Sequence, residues 1–416
     1  MDYALQMTQS THPIGTTNQN FEADAIKAVG ATRDTYARII EQKCPGSKSV
    51  SAIAEAFGIH RKLAWQIIKV AYSEDPFIAA KHMPTPKSVM VWSKAVEKSG
   101  VAPEHITSIH ASSKQFQLLF DTHASNRAEF EMLIESCCRS EDNQAEERWR
   151  QLAFEGNSYT WGAHCKAVLA LCILMPSEDR EHHFHAAQIR GLMGFRQIRP
   201  GVRWVVNQSV AVDDDIQHEV TMDRQAIDPD AALRHNGVPV LPEYCSDPMP
   251  ELERSLTHDG MMQDEFVSSK IGLQGERTLV TGEILRNIAP THAMPNDKIA
   301  HFGSSVRTPT EMMHFDLFVK AGLFGEVERE LKVFSDIASS ITFAESDELA
   351  ISNNITRMGR GISLAHAPDL PGYHDLAGSI FSRLSLDPEE YELYRIRIPF
   401  PPFPSTVMVK HELLPL

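Results

Sequence analysis

Apolar residues change their spacing part-way along this chain. From Phe21 to about Arg150 they recur every three or four residues, the period of a helix face. From about Trp204 to Lys410 they gather in short β-branched and aromatic runs, the pattern of strands. At 416 residues the chain also exceeds one ordinary core. The expected fold class is therefore multidomain: an all-α N-terminal domain, then an α+β domain with a largely antiparallel sheet. Residues 1–20 are polar and read as a disordered tail, 21–150 as the helical domain and 151–416 as the α+β domain, suited to dimerisation or ligand sensing. The change of character falls between Ser140 and Ser177.

Local signals fill in this outline. Asn20 caps a first helix, which bends at Gly30 and continues from Arg33 to Gln42; Cys44-Pro-Gly-Ser47 then turns the chain. Further helices are expected at Lys87 to Ser99, Pro103 to about Thr122, Glu129 to Cys138 and Ala145 to Glu155. The most apolar run, Ala167 to Met175, is half the length of a membrane span and reads as a buried helix stopped by Pro176. Strands are expected at Trp204 to Val206, Thr278 to Val280, Met313 to Val319, Leu331 to Phe334, Tyr394 to Pro399 and Thr406 to Lys410. The stiff Phe400 to Ser405 segment would link the last two as neighbours. Helices are expected near Gly325 to Glu330 and Leu376 to Arg383.

The segment from about residue 48 to 70 meets a demanding set of spacings. Ala54 is small where two steeply crossed helices must touch. Gly58, four residues on, suits a tight turn, and Ile59 after it is apolar. Ala64 and Ile67 share the inner face of a second helix, with Ile53 and Phe57 on the inner face of the first. The opposite face carries His60, Arg61, Lys62, Trp65, Gln66 and Lys69.

At these residues the segment resembles the helix-turn-helix of bacterial transcriptional regulators. The resemblance covers only this stretch, and Ala64 stands where that pattern more often has Val or Ile. It implies double-stranded DNA as partner, with the early residues of the second helix in the major groove. Arg61 would then pair with guanine and Gln66 with adenine, while Lys69 and Lys48 meet phosphates. Trp65, at a nominally exposed position, would pack on a neighbouring helix. The same pattern also suits an amphipathic helix pair in an ordinary bundle.

Charge is unevenly placed. The net charge is −15, yet residues 1–120 hold 13 Lys and Arg against 10 Asp and Glu, and the remainder holds 27 against 45. An acidic body thus carries a mildly basic N-terminal module, which would face the duplex while the body points away. A homodimer would double the basic surface. The cysteines Cys44, Cys137, Cys138, Cys165, Cys172 and Cys245 form no CxxC pair, so neither a disulfide framework nor a zinc finger is indicated. The N-terminus lacks a basic start and an apolar stretch, and the expectation is a cytoplasmic chain without membrane contact.

The second part offers less specific chemistry. His314 and Asp316 share one face of an expected strand and form a possible divalent-metal pair, with His292 and His301 upstream. A satisfied polar face or a buried His–Asp hydrogen bond is the favoured explanation of the pair. His182 and His185 would meet on a helical face or lie in a loop. Gly191 to Gly201, with Arg190, Arg196 and Arg199, suggests a phosphate loop but lacks the established glycine patterns. No nucleophile or zinc-protease motif is visible. The expected function is a DNA-binding transcriptional regulator whose C-terminal domain meets a small-molecule or protein effector. The alternatives are a metal-dependent enzyme with a helical accessory module, and an assembly protein.

Overall fold

A computed structural model describes residues 16–137, 144–210, 223–258, 261–267, 270–295, 298–337 and 345–416. The chain divides into two compact units between Asn143 and Gln144. A helical N-terminal region precedes a large, mostly antiparallel, partly mixed sheet region. Among the described residues no helix is long and apolar enough to cross a membrane.

The first unit contains α1 (Thr16–Lys43), α2 (Val50–Phe57), α3 (Arg61–Tyr72), α4 (Pro76–Lys81), α5 (Pro86–Lys98), α6 (Glu104–His123) and α7 (Arg127–Cys137). Two apolar clusters hold it. One gathers α1, α2, α3 and α5 around the fully buried Trp92, whose ring meets Phe57 at 4.7 Å and Tyr36 at 6.0 Å. The other joins Phe21, Ala25 and Val29 of α1 to α4, α6 and α7. The expected bend at Gly30 does not occur. Burial of Ala28, Val29 and Thr32 around it offsets the cost of glycine in a helix, about 1 kcal/mol. Thr16 to Asn20 belong to α1 rather than to a tail; residues 1–15 of that expected tail lie outside the described residues.

The second unit begins with α8 (Gln144–Trp161), which runs across the expected boundary at residues 150 and 151. Its Arg150 donates to Asn353 Oδ1 at 2.9 Å. There follow β1 (Ala163–Pro176), β2 (His183–Gln197), β3 (Trp204–Val210), β4 (Asp223–Ala226), α9 (Pro229–Arg234), β5 (Leu252–Leu256) and β6 (Met261–Phe266). Then come β7 (Arg277–Pro290), β8 (Ile299–Val306), β9 (Thr310–Lys320), β10 (Glu330–Ser335), β11 (Thr356–Arg360), α10 (Tyr373–Arg383), β12 (Tyr391–Pro399) and β13 (Ser405–Glu412). A seven-stranded sheet has the order β11-β12-β9-β1-β2-β7-β4. Its β1–β9 pair is parallel and its other neighbouring pairs are antiparallel. Two three-stranded sheets, β10-β13-β8 and β3-β6-β5, complete the strand set.

The apolar run from Ala167 to Met175 is strand β1, not a helix. Ala167, Leu169, Leu171 and Ile173 pack towards α10, while Val168, Ala170, Cys172 and Leu174 pack towards the β10-β13-β8 layer. A central strand covered on both faces needs apolar residues at every position, which erases the alternation that marks half-buried strands.

Other expectations change for equally local reasons. Glu181 to His185 is neither helix nor loop throughout: His182 sits in a turn at φ 56° and His183 opens β2. Gly191 to Gln197 continue β2, so no phosphate loop forms. A Cβ at Gly194 would lie 2.8 Å from Lys166 Cδ, so the glycine serves close strand packing. Phe400 to Ser405 carries the chain from the seven-stranded sheet to a different sheet instead of linking neighbours. Gly325 to Glu330 forms no helix; Gly322 and Gly325, both at positive φ, close a tight turn before β10.

Candidate nucleic-acid interface

The α2–α3 segment is built from its caps outward. Ser49 Oγ accepts from Ala52 N–H at 3.4 Å and starts α2. Gly58 ends α2 in the left-handed conformation, φ 63° and ψ 39°. The Ile59 N–H then reaches back to Ala54 O at 2.9 Å, closing the helix end. His60 caps α3: its Nδ1 accepts from Lys62 N–H at 3.2 Å. The turn is therefore three residues, each with a defined task.

The inner face is fully committed to packing. Ile53, Ala54, Phe57, Ile59, Leu63, Ala64 and Ile67 are buried in the Trp92 cluster. Ala64 and Ile67 have no exposure at all, which leaves little room for a larger residue at Ala64. The outer face is open: His60, Arg61, Lys62, Trp65 and Lys69 are exposed, Gln66 is half-buried and Lys48 is exposed.

Electrostatics on that face are one-sided. Among the described residues, none of Lys48, Arg61, Lys62 and Lys69 makes an ion pair. Lys69 lies in the last turn of α3, where the helix dipole favours a cation. Arg61 and Lys62 lie in the first turn, where it disfavours one, and no acidic residue shares that turn. Each cation so placed costs about 0.3–1 kcal/mol. Aromatic rings hold two of the lysines. Lys48 Nζ stands 4.9 Å above the Tyr72 ring and Lys69 Nζ 6.0 Å above Trp65.

Trp65 does pack on a neighbour, edge-on to His82 at 5.0 Å between ring centres, and still keeps 40% of its surface exposed. Burial, then the charges of Lys69 and Lys81, lowers the His82 pKa. His82 follows α4 and no spacing rule links it to Trp65, so sequence reasoning missed it.

The sheet unit arranges its polar groups differently. His314 and Asp316 do face the same side of β9, fully buried. Asp316 is occupied: Arg395 donates to its Oδ1 at 2.8 Å and to its Oδ2 at 2.7 Å, and Tyr373 Oη donates to Oδ2 at 2.6 Å. His314 Nε2 lies 3.2 Å from Asp316 Oδ1, within ion-pair distance but poorly directed for a hydrogen bond. Burial alone would raise the Asp316 carboxyl; Arg395 and His314 outweigh it and hold it below the usual range. Burial, reinforced by the Asp316 charge, holds Tyr373 far above its ordinary value, so the phenol stays protonated.

The other histidines do not complete that pair. His301 lines a cavity with Phe315, which points to the face of β9 opposite His314. His292 packs edge-on to His182 at 5.6 Å, and His185 Nδ1 accepts from Asn287 N–H at 2.9 Å. Among the described residues no group of three His, Cys, Asp or Glu side chains is suited to hold a metal ion. Two arginines of the expected loop are engaged: Arg196 pairs with Glu276, and Arg199 donates to Thr160 O at 2.8 Å. Sequence reasoning missed Arg395 and Tyr373. The arginines that alternate with isoleucine in the strand Tyr394 to Pro399, Arg395 and Arg397, were the available signal for the first.

Comparison with known proteins finds no matching family model, no similar curated protein and no similar solved structure.

Proposed function

We propose that this chain is a DNA-binding transcriptional regulator in which α2, the Gly58 turn and α3 act as a helix-turn-helix. The observation that carries the reading is the placement of Arg61 and Lys62. They are exposed, unpaired among the described residues, and set at the helix end where the backbone itself attracts anions. A structural role would favour acids there; a phosphate-lined groove favours what is present.

The first turn of α3 enters the major groove. Arg61 is placed to meet guanine O6 and N7, and Gln66 to meet adenine. Lys62, Lys48 and Lys69 neutralise phosphates, and Trp65 adds an apolar contact beside them. In a homodimer the two copies of α3 would read half-sites about 34 Å apart. The sheet unit supplies dimerisation or effector sensing. To test this, fragments would be selected from a genomic pool on the whole chain and their affinity measured by fluorescence anisotropy. Arg61→Ala with Lys62→Ala should weaken binding by tenfold or more without loss of folding. Unchanged affinity in that double variant would refute the reading.

A further inference from the structure

A cavity of about 340 Å³ lies within the sheet unit, between the seven-stranded sheet and β8. Its volume is that of a small-molecule site rather than a packing defect. Its walls are apolar and buried: Phe184, Leu285, Phe302, Phe315 and Leu413 are each under a tenth exposed. Its polar lining comes from Gln188 and Arg190 of β2 and from His301 and Ser304 of β8. Gln188 Oε1 accepts from Arg190 Nη2 at 2.9 Å, which orients the guanidinium.

Arg190 differs from those arginines of this unit that are neutralised internally. Arg196, Arg203, Arg254, Arg383 and Arg395 each have a carboxylate partner. Arg190 has none within ion-pair distance among the described residues; Glu283, the acid whose charge it feels most, is taken by Arg224 at 3.3 Å. Its side chain reaches solvent, yet protein crowds it enough that burial pulls its pKa down. A crowded guanidinium at the rim of an apolar slot offers directed donors and a charge with no protein counterion.

We propose that this cavity binds a monocarboxylate with an apolar body, such as a medium-chain fatty acid. The carboxylate pairs with Arg190 and the hydrocarbon fills the space between Phe184, Phe302 and Leu413. Guanidinium matches carboxylate geometry through two parallel hydrogen bonds, and the walls remove the chain from water. This names an effector class for the sensing role proposed above. The site lies wholly in the sheet unit, so ligand binding is read without DNA, and its failure is separable from failure of the DNA reading.

The test is calorimetry on the whole chain with butyrate, hexanoate and octanoate, and with octanol as the neutral counterpart of octanoate. One equivalent of octanoate should bind, with affinity rising about fourfold per methylene across the series. Arg190→Gln should cost about tenfold or more, and octanol should bind the native chain no better than octanoate binds that variant. Because Arg190 reaches solvent, its replacement should leave the circular dichroism spectrum unchanged. Absence of octanoate binding, equal binding of octanol and octanoate, or full affinity in Arg190→Gln would overturn the proposal.

Discussion

Arg61 and Arg395 are the same residue in opposite circumstances. Arg395, on β12, is buried and gives two hydrogen bonds to Asp316 and one to His366 O at 2.7 Å. Arg61, on α3, is exposed, unpaired among the described residues, and at the wrong end of a helix for its own stability. A buried cation paired with a buried carboxylate is structural. A cation left unpaired where the fold disfavours it is placed for something outside the chain.

The largest expected effect lies on the structural side of that contrast. Asp316→Ala would strand Arg395 in a low-dielectric interior, which costs about 3–5 kcal/mol. Urea unfolding of the sheet unit would show it, and a loss below 1 kcal/mol would mean the pair is not the anchor its geometry implies.

Next comes an acid-sensitive histidine. His411 is 3% exposed, and neither ring nitrogen has a hydrogen-bond partner. Burial, then the charges of Arg329 and His301, pulls its pKa from 6.5 to about 4. The unfolded chain therefore binds this proton more tightly than the folded one. Its contribution is intact above pH 6.5 and is lost as the pH falls towards 4, by about 3 kcal/mol. Unfolding measured between those pH values on the native chain and on His411→Phe should give a shallower dependence in the variant. Parallel curves would place the titration elsewhere.

The smaller effects sharpen the contrast on the helical side. Gly58→Ala meets no atom within 4 Å, so only the left-handed backbone resists it, at about 1–2 kcal/mol. Arg61→Ala should leave thermal stability unchanged or slightly raised, because it relieves an unfavourable charge at the N-terminus of α3. A loss above 1 kcal/mol on Arg61→Ala would show a hidden structural partner and dissolve the contrast.

Legibility followed how locally each feature was encoded. The α2–Gly58–α3 geometry was readable because caps, turn and inner face all lie within one short segment, and Gly58 has the conformation its position required. Strands β9, β12 and β13 were readable from aromatic and β-branched runs. Strand β1 was not, because burial on both faces depends on α10 and β13, hundreds of residues away, and leaves a run that suits a helix as well. The His314–Asp316 adjacency was visible as a two-residue spacing, but its chemistry is set by Arg395 and Tyr373, which arrive through sheet pairing and helix packing. The cavity at Arg190 had no sequence signal at all, since its walls come from five strands and the segment after β13.

The central claim is that the α3 face meets phosphates and bases. It is tested most directly by the salt dependence of DNA affinity, measured on one selected fragment for the native chain and for Lys62→Ala. The account predicts a steep linear fall of log affinity with log salt, and a slope smaller by about one phosphate contact in the variant. A salt-insensitive affinity, or identical slopes and affinities for the two chains, would contradict it.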